Sequence, residues 1–178
     1  VSARRPAPPA PHLGRLARRA GALLAARGWH LVTAESCTGG WVAQAVTAVP
    51  GSSAWFERGF VTYSDQAKRE LLGVRAATLA THGAVSEAVV REMAAGALAR
   101  AAAEVAVAVS GIAGPGGGSA AKPVGTVCLA WALPGRAPEA CTVHLPGSRA
   151  AVRRAAVAAA LAGIGERLDG SGAGGAGR

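Results

Sequence analysis

The sequence predicts an α/β fold in which helices cover both faces of a mixed sheet, and three observations carry that prediction. Helical stripes alternate with short apolar strands through the first half of the chain, as a layered α/β domain requires. Val105 to Val109 is an unbroken apolar run with β-branched residues, the pattern of a strand buried on both faces. Two strands then come together late, Val124 to Trp131 and Glu139 to Leu145, as a hairpin-like pair around Pro134-Gly135.

Each element has its own local signal. Leu13, Leu16, Ala20 and Leu24 keep helical spacing, and Gly28 is placed to end that helix. Trp29 to Ala34 reads as the first strand, and Trp41, Val42, Ala45 and Val46 return to helical spacing. Pro50-Gly51-Ser52-Ser53 breaks the chain before a second strand, Trp55 to Tyr63. Ser64 is positioned as an N-cap and Gly73 ends the helix it opens, so Tyr63 and Lys68 occupy the two places that a hydrophobic staple brings into contact. A short helical stretch follows near Arg75 to His82. Ser86 caps a longer helix through about Ala102, with Val90, Met93 and Ala97 facing inward. The segment 111–122 is too glycine-rich for regular structure, and Ser148 caps a last helix whose stripe is Val157, Leu161, Ile164 and Leu168.

The length of 178 residues suits one domain, expected over residues 12–169. Residues 1–11 are basic and Pro-rich and 170–178 are almost all Gly, Ala and Ser, so both ends read as disordered tails. The net charge of +9 would suit a polyanion, but much of the excess lies near the ends, and the four tryptophans are scattered instead of interleaved with arginines. No dedicated nucleic-acid binding is expected. Cys37, Cys128 and Cys141 are too few and too far apart for a zinc site or a disulfide framework. Arg4-Arg5 is followed by prolines instead of an apolar export signal, and no run reaches the roughly 18 apolar residues of a membrane span. A cytoplasmic protein is expected.

Thr33 to Gly40, TAESCTGG, packs a hydroxyl, a thiol, a carboxylate and two glycines between a strand and a helix. Such a turn aims the backbone N–H groups of Thr38, Gly39 and Gly40 at whatever lies above them, which suits a developing oxyanion. The plainer reading, Thr38 as a helix cap and the glycines as turn formers, stands slightly ahead on these residues alone. Other chemistries fail on spacing. There is no GxxxxGK[ST] and no GxSxG; Gly116, Gly118 and Ala121 match GxGxxA but lead into a strand. The four histidines have unremarkable surroundings, and Asp65 and Asp169 are the only aspartates, which leaves a Ser-His-Asp triad short of members. Serine with lysine remains, Ser36 with Lys68, because a desolvated lysine can take a serine proton. Cys37 is a rival nucleophile without a nearby activating histidine. Tyr63 is either a proton relay or a strand-end core aromatic.

Five separated segments, TAESCTGG at 33–40, YSDQAK at 63–68, SGIAGPGGG at 110–118, KPVGTV at 122–127 and GSRAAVR at 147–153, together resemble the CinA C-terminal domain family of nicotinamide-nucleotide amidases. The resemblance spans roughly Leu13 to Leu168. It implies a three-layer α/β/α sandwich that hydrolyses the carboxamide of nicotinamide mononucleotide, releasing ammonia in pyridine-nucleotide salvage, with no metal or organic cofactor. By similarity Ser36 is the nucleophile and Lys68 the base. Tyr63, Ser53 and Ser110 support the site, Gly111 and Gly114 belong to a loop that holds the nucleotide, and Arg149 contacts substrate. Ser110 stands where the family more often has threonine, and Asp65-Gln66 replaces the commoner Asn-Glu. The larger N-terminal domain of fused members is absent from this sequence, so a stand-alone amidase is expected. A homo-oligomer, a dimer, is the expected assembly. The alternative is a catalytically silent nucleotide-binding module linked to competence or DNA damage.

Overall fold

The computed structural model describes residues 13–170, and the expected tails, apart from Gly170, lie outside that span. Five strands form one mixed sheet: β1 (Leu31–Glu35), β2 (Phe56–Val61), β3 (Val105–Gly111), β4 (Thr126–Ala132) and β5 (Glu139–His144). Their spatial order is β2-β1-β3-β4-β5. β1 pairs in parallel with both β2 and β3, while β3, β4 and β5 form an antiparallel run. The expected three-layer α/β/α sandwich with a mixed sheet is what the chain forms.

Helices α1 (Leu13–Ala25), α2 (Trp41–Thr47) and α6 (Arg149–Gly170) pack on one face, and α3 (Asp65–Leu72), α4 (Ala76–His82) and α5 (Glu87–Leu98) on the other. Handedness explains the division. The chain leaves β1 through α2 to β2 on one side, then crosses through α3–α5 to β3 on the other side, and right-handed crossovers in opposite directions place their helices on opposite faces. Alternation along the strands sorts the two cores. Leu31, Val105, Val107, Val109, Leu129 and Trp131 face the first helix layer, while Val32, Ala34, Ala106, Ala108 and Ala130 face the second.

The small residues on the second face let α5 approach closely. Gly96 of α5 is pressed against α3, so that a Cβ there would lie 1.8 Å from the Leu72 carbonyl oxygen. On the first face Gly163 makes the same allowance for Trp131 and Gly21 for Trp55. Most of the capping works as expected. Ser64 Oγ accepts from Ala67 N–H at 3.0 Å and Gly73 closes α3 with φ 70°. Ser86 caps α5 and Ser148 caps α6.

Several boundaries differ from expectation for identifiable reasons. The second strand begins at Phe56 because Trp55 ends a 3-10 turn over Ser52–Ala54. It ends at Val61, which leaves Tyr63 in the connection to α3. α5 stops at Leu98 instead of near Ala102, because the Arg100 guanidinium folds back onto the Gly96 and Leu72 carbonyls and closes the helix. β4 starts at Thr126, after Gly125 turns the chain at φ 95°.

Candidate active site

β1 is the switch point of the sheet, with the chain passing to β2 on one side and to β3 on the other, and ligand crevices in open α/β sheets form outside the carboxyl ends of strands at such points. Ser36 immediately follows β1, and its N–H donates to Val109 of β3 at 2.9 Å. Ser36, Lys68 and Ser110 are therefore delivered from three neighbouring segments to one end of the sheet. They line a cavity of about 210 Å³ together with Cys37, Tyr63, Asp65, Ala84, Val85, Gly111, Ala113 and Arg149. Two larger hollows, of about 540 and 450 Å³, flank Gly73 on the outside of α3 and α5, and neither includes Ser36 or Ser110.

Lys68 is almost completely buried, at 1% exposure. Its Nζ lies 3.1 Å from Ser36 Oγ, 2.9 Å from the Thr62 carbonyl oxygen and 3.4 Å from that of Tyr63. Desolvation by burial pulls the ammonium pKa below the ordinary lysine value, against smaller opposing influences from Asp65 and Cys37. Nζ donates to all three oxygens, and loss of its proton leaves the two carbonyl contacts in place with a lone pair facing the Ser36 hydroxyl. The staple positions of Tyr63 and Lys68 do meet, but through the tyrosine main chain. The residue is 61% exposed, and its hydroxyl accepts from Arg149 at 2.9 Å. Tyr63 thus belongs to the rim with Arg149, whose other terminal nitrogen donates to the Gly114 carbonyl at 2.8 Å.

Ser110 is buried and donates to the Ala84 carbonyl at 2.8 Å, which holds the 83–85 loop against the cavity. At Gly111 a Cβ would meet Val127 at 2.8 Å and the Cys37 sulfur at 3.1 Å, so only glycine fits between β4 and the turn. Ser53 is not brought to the others. It is exposed in the 3-10 turn before β2, at the opposite end of the parallel strands, because β2 must cross the sheet between it and the Ser36 end. Cys37 sits beside the pair, but burial pushes its thiol up to about 11, beyond the partial offset from its own backbone N–H and Arg153. It stays a thiol.

The turn itself departs from expectation. Thr38 does not cap α2; the N-cap is Gly40, at φ 90°. The Glu35 carboxylate performs the capping from seven and eight residues upstream, accepting from Val42 N–H at 2.9 Å and Ala43 N–H at 2.8 Å, while the Thr38 hydroxyl donates to it at 2.7 Å. The first N–H groups of α2 are therefore engaged by the protein's own anion. Gly39 N–H closes the turn onto the Ser36 carbonyl at 3.0 Å. Of the three expected oxyanion donors, only Thr38 and Gly40 keep N–H groups without an acceptor among the described residues.

Sequence reasoning assigned no role to Glu35 and none to Arg153. Arg153 donates to the carbonyls of Cys37 and Thr38 at 3.0 and 2.9 Å. Its signal was its place four residues after Arg149, on the same face of α6. The 83–85 loop was also missed, as was Lys122, which ties that loop down through the His82 and Val85 carbonyls at 2.7 Å each.

The chain is 58% identical over 149 residues to the nicotinamide-nucleotide amidohydrolase PncC of Escherichia coli (strain K12), covering 84% of this chain and 90% of that one. It is 53% identical to the Pseudomonas putida protein of the same name, over 84% and 92% of the two chains. A solved CinA superfamily protein from Klebsiella pneumoniae superposes with a TM-score of 0.86 at 47% identity, covering 89% of this chain and 99% of that one. With residues 14–168 matching the model of the CinA C-terminal domain, and the same fold in solved relatives, the chain belongs to the CinA C-terminal domain family.

Proposed function

We propose that the protein is a nicotinamide-nucleotide amidase that converts the carboxamide of nicotinamide mononucleotide to the carboxylate and releases ammonia. The observation that carries the chemistry is the 3.1 Å contact between Ser36 Oγ and the Nζ of a buried lysine whose remaining partners are main-chain carbonyls. The support for the substrate is the name borne by the relatives.

The geometry supports the following steps. Lys68 accepts the hydroxyl proton as Ser36 Oγ bonds to the carboxamide carbon, and the carbonyl electrons move onto oxygen. The oxyanion rests against backbone N–H of the 38–40 turn. As the C–N bond breaks, Lys68 passes its proton to the departing nitrogen, which leaves as ammonia. Water then attacks the acyl-serine, again giving a proton to Lys68, and the C–O bond to Ser36 breaks to release the acid and restore the hydroxyl. A 210 Å³ cavity is below the roughly 300–1,000 Å³ of pockets that enclose a drug-sized ligand. It suits the flat amide-bearing ring, and leaves the ribose and phosphate at the rim, where Arg149 offers a fork of donors to the phosphate. The free thiols suit a cytoplasmic enzyme of nucleotide salvage.

Ammonia release from nicotinamide mononucleotide by the purified protein tests the reading, with Ser36→Ala beside it. Turnover that persists undiminished in Ser36→Ala would sink the nucleophile assignment. Tight nucleotide binding with no ammonia from the parent protein would point to a silent binding module.

A further inference from the structure

The turn after β1 is held from both sides. Glu35 takes the N–H groups that open α2, and on the opposite side Arg153 of α6 takes two successive carbonyls, Cys37 through Nε at 3.0 Å and Thr38 through Nη2 at 2.9 Å. The guanidinium also lies 5.4 Å from the Trp41 ring centroid, where Arg154 packs at 5.8 Å. The Thr38 carbonyl also accepts from Trp41 N–H at 3.2 Å, so the guanidinium is a second partner there and the contact to the Cys37 carbonyl is its own. The planar fork presents two N–H groups in fixed directions to the two peptide oxygens, whereas a lysine offers a rotating point charge on a flexible stem.

In a trans peptide unit the C=O and N–H point in opposite directions. Holding the Cys37 and Thr38 carbonyls toward Arg153 therefore turns the Thr38 and Gly39 N–H groups to the far side. That of Gly39 is engaged with the Ser36 carbonyl, while that of Thr38 has no acceptor among the described residues. A positive charge on the carbonyl end of a peptide also polarises its N–H, so the same contact that aims the Thr38 donor strengthens it.

We infer that Arg153 is a positioning residue for acyl transfer, which fixes the Cys37–Thr38 peptide and with it the N–H donors of the turn beside Ser36. The inference rests on the proposed serine mechanism but not on the identity of the substrate. Arg153 touches no reacting atom and acts through the turn.

The test uses the full chain in two assays: ammonia release from nicotinamide mononucleotide, and the rate at which a fluorophosphonate probe labels Ser36. Arg153→Gln is expected to lower kcat about 10²-fold with KM within about threefold of the parent, the scale of losing one oxyanion donor, and to slow labelling comparably. Arg153→Lys should fall between the two, and millimolar guanidinium should restore part of the rate of Arg153→Ala. Arg154→Gln, which keeps the turn contacts, should match the parent. Parent-like rates in Arg153→Gln, a rise in KM alone, or a loss of activity that follows a lowered melting temperature and resists guanidinium would each overturn the inference. If the parent releases no ammonia but its labelling depends on Arg153, the substrate reading fails and the positioning role stands. If the parent neither turns over nor labels, both fail.

Discussion

Lys68 is a residue costly to the fold and, in the proposed mechanism, necessary to the chemistry. Burial without a carboxylate partner depresses its pKa, which brings the neutral amine that a general base requires closer to hand than in a free lysine. The rate of amide hydrolysis is therefore expected to rise with pH through a limb centred below the ordinary lysine value of about 10.4. A pH profile of kcat/KM measures it. The sign for stability follows from proton counts. Between the depressed folded pKa and the unfolded one, the unfolded chain binds more protons, so stability rises with pH across that window. Measured by denaturant titration, the parent should gain stability relative to Lys68→Met as pH is raised from neutral toward about 10. Glu35 has the opposite character, a structural anion at a chemical site. Glu35→Ala leaves one buried and one part-buried N–H group and the Thr38 hydroxyl without their acceptor, and should cost about 2–4 kcal/mol. Chemical denaturation reads that cost, and an unchanged midpoint would refute the capping role.

At the scale of elements, the site depends on how closely α5 approaches α3, because α3 carries Lys68 to Ser36. Leu72 and Lys68 lie on the same buried face of α3, and the Leu72 carbonyl is the atom that Gly96 admits. Gly96→Ala must push the two helices apart by more than a side-chain adjustment, since its neighbour is backbone. A loss of at least the 1–3 kcal/mol typical of overpacking, roughly, is expected. Activity should fall further than stability explains, because α3 shifts relative to β1. Comparing kcat with the melting temperature in Gly96→Ala and in Gly163→Ala, whose clash is with Trp131 in the other layer, separates the two effects.

For the whole molecule, one sheet with two helix layers gathers the site from β1, the β2–α3 connection, β3 and the start of α6, so no single segment contains it. The family match ends at residues 14 and 168, inside the described span. A chain trimmed to residues 13–170 is therefore expected to keep the parent's kcat/KM and melting temperature. A steady-state assay and a thermal scan of the trimmed chain check this, and a fall in either would give the ends a role.

Several features were legible in the sequence because they are set by nearby residues. Periodicity marked the helices and the buried β3, Ser64 and Ser86 announced their caps, and the staple positions brought Lys68 to Tyr63. Tertiary structure decided what depends on contacts between distant segments. Glu35 became a cap through a turn that leads back over it, and Tyr63 faced Arg149 instead of Lys68. Ser53 was left at the far end of β2, and Arg153 met the nucleophile turn across 115 residues of chain. The physical reason is that capping and burial patterns depend on a few neighbouring dihedral angles and side chains. The direction of a peptide N–H, or the partner of a guanidinium, is settled only when the layers have packed.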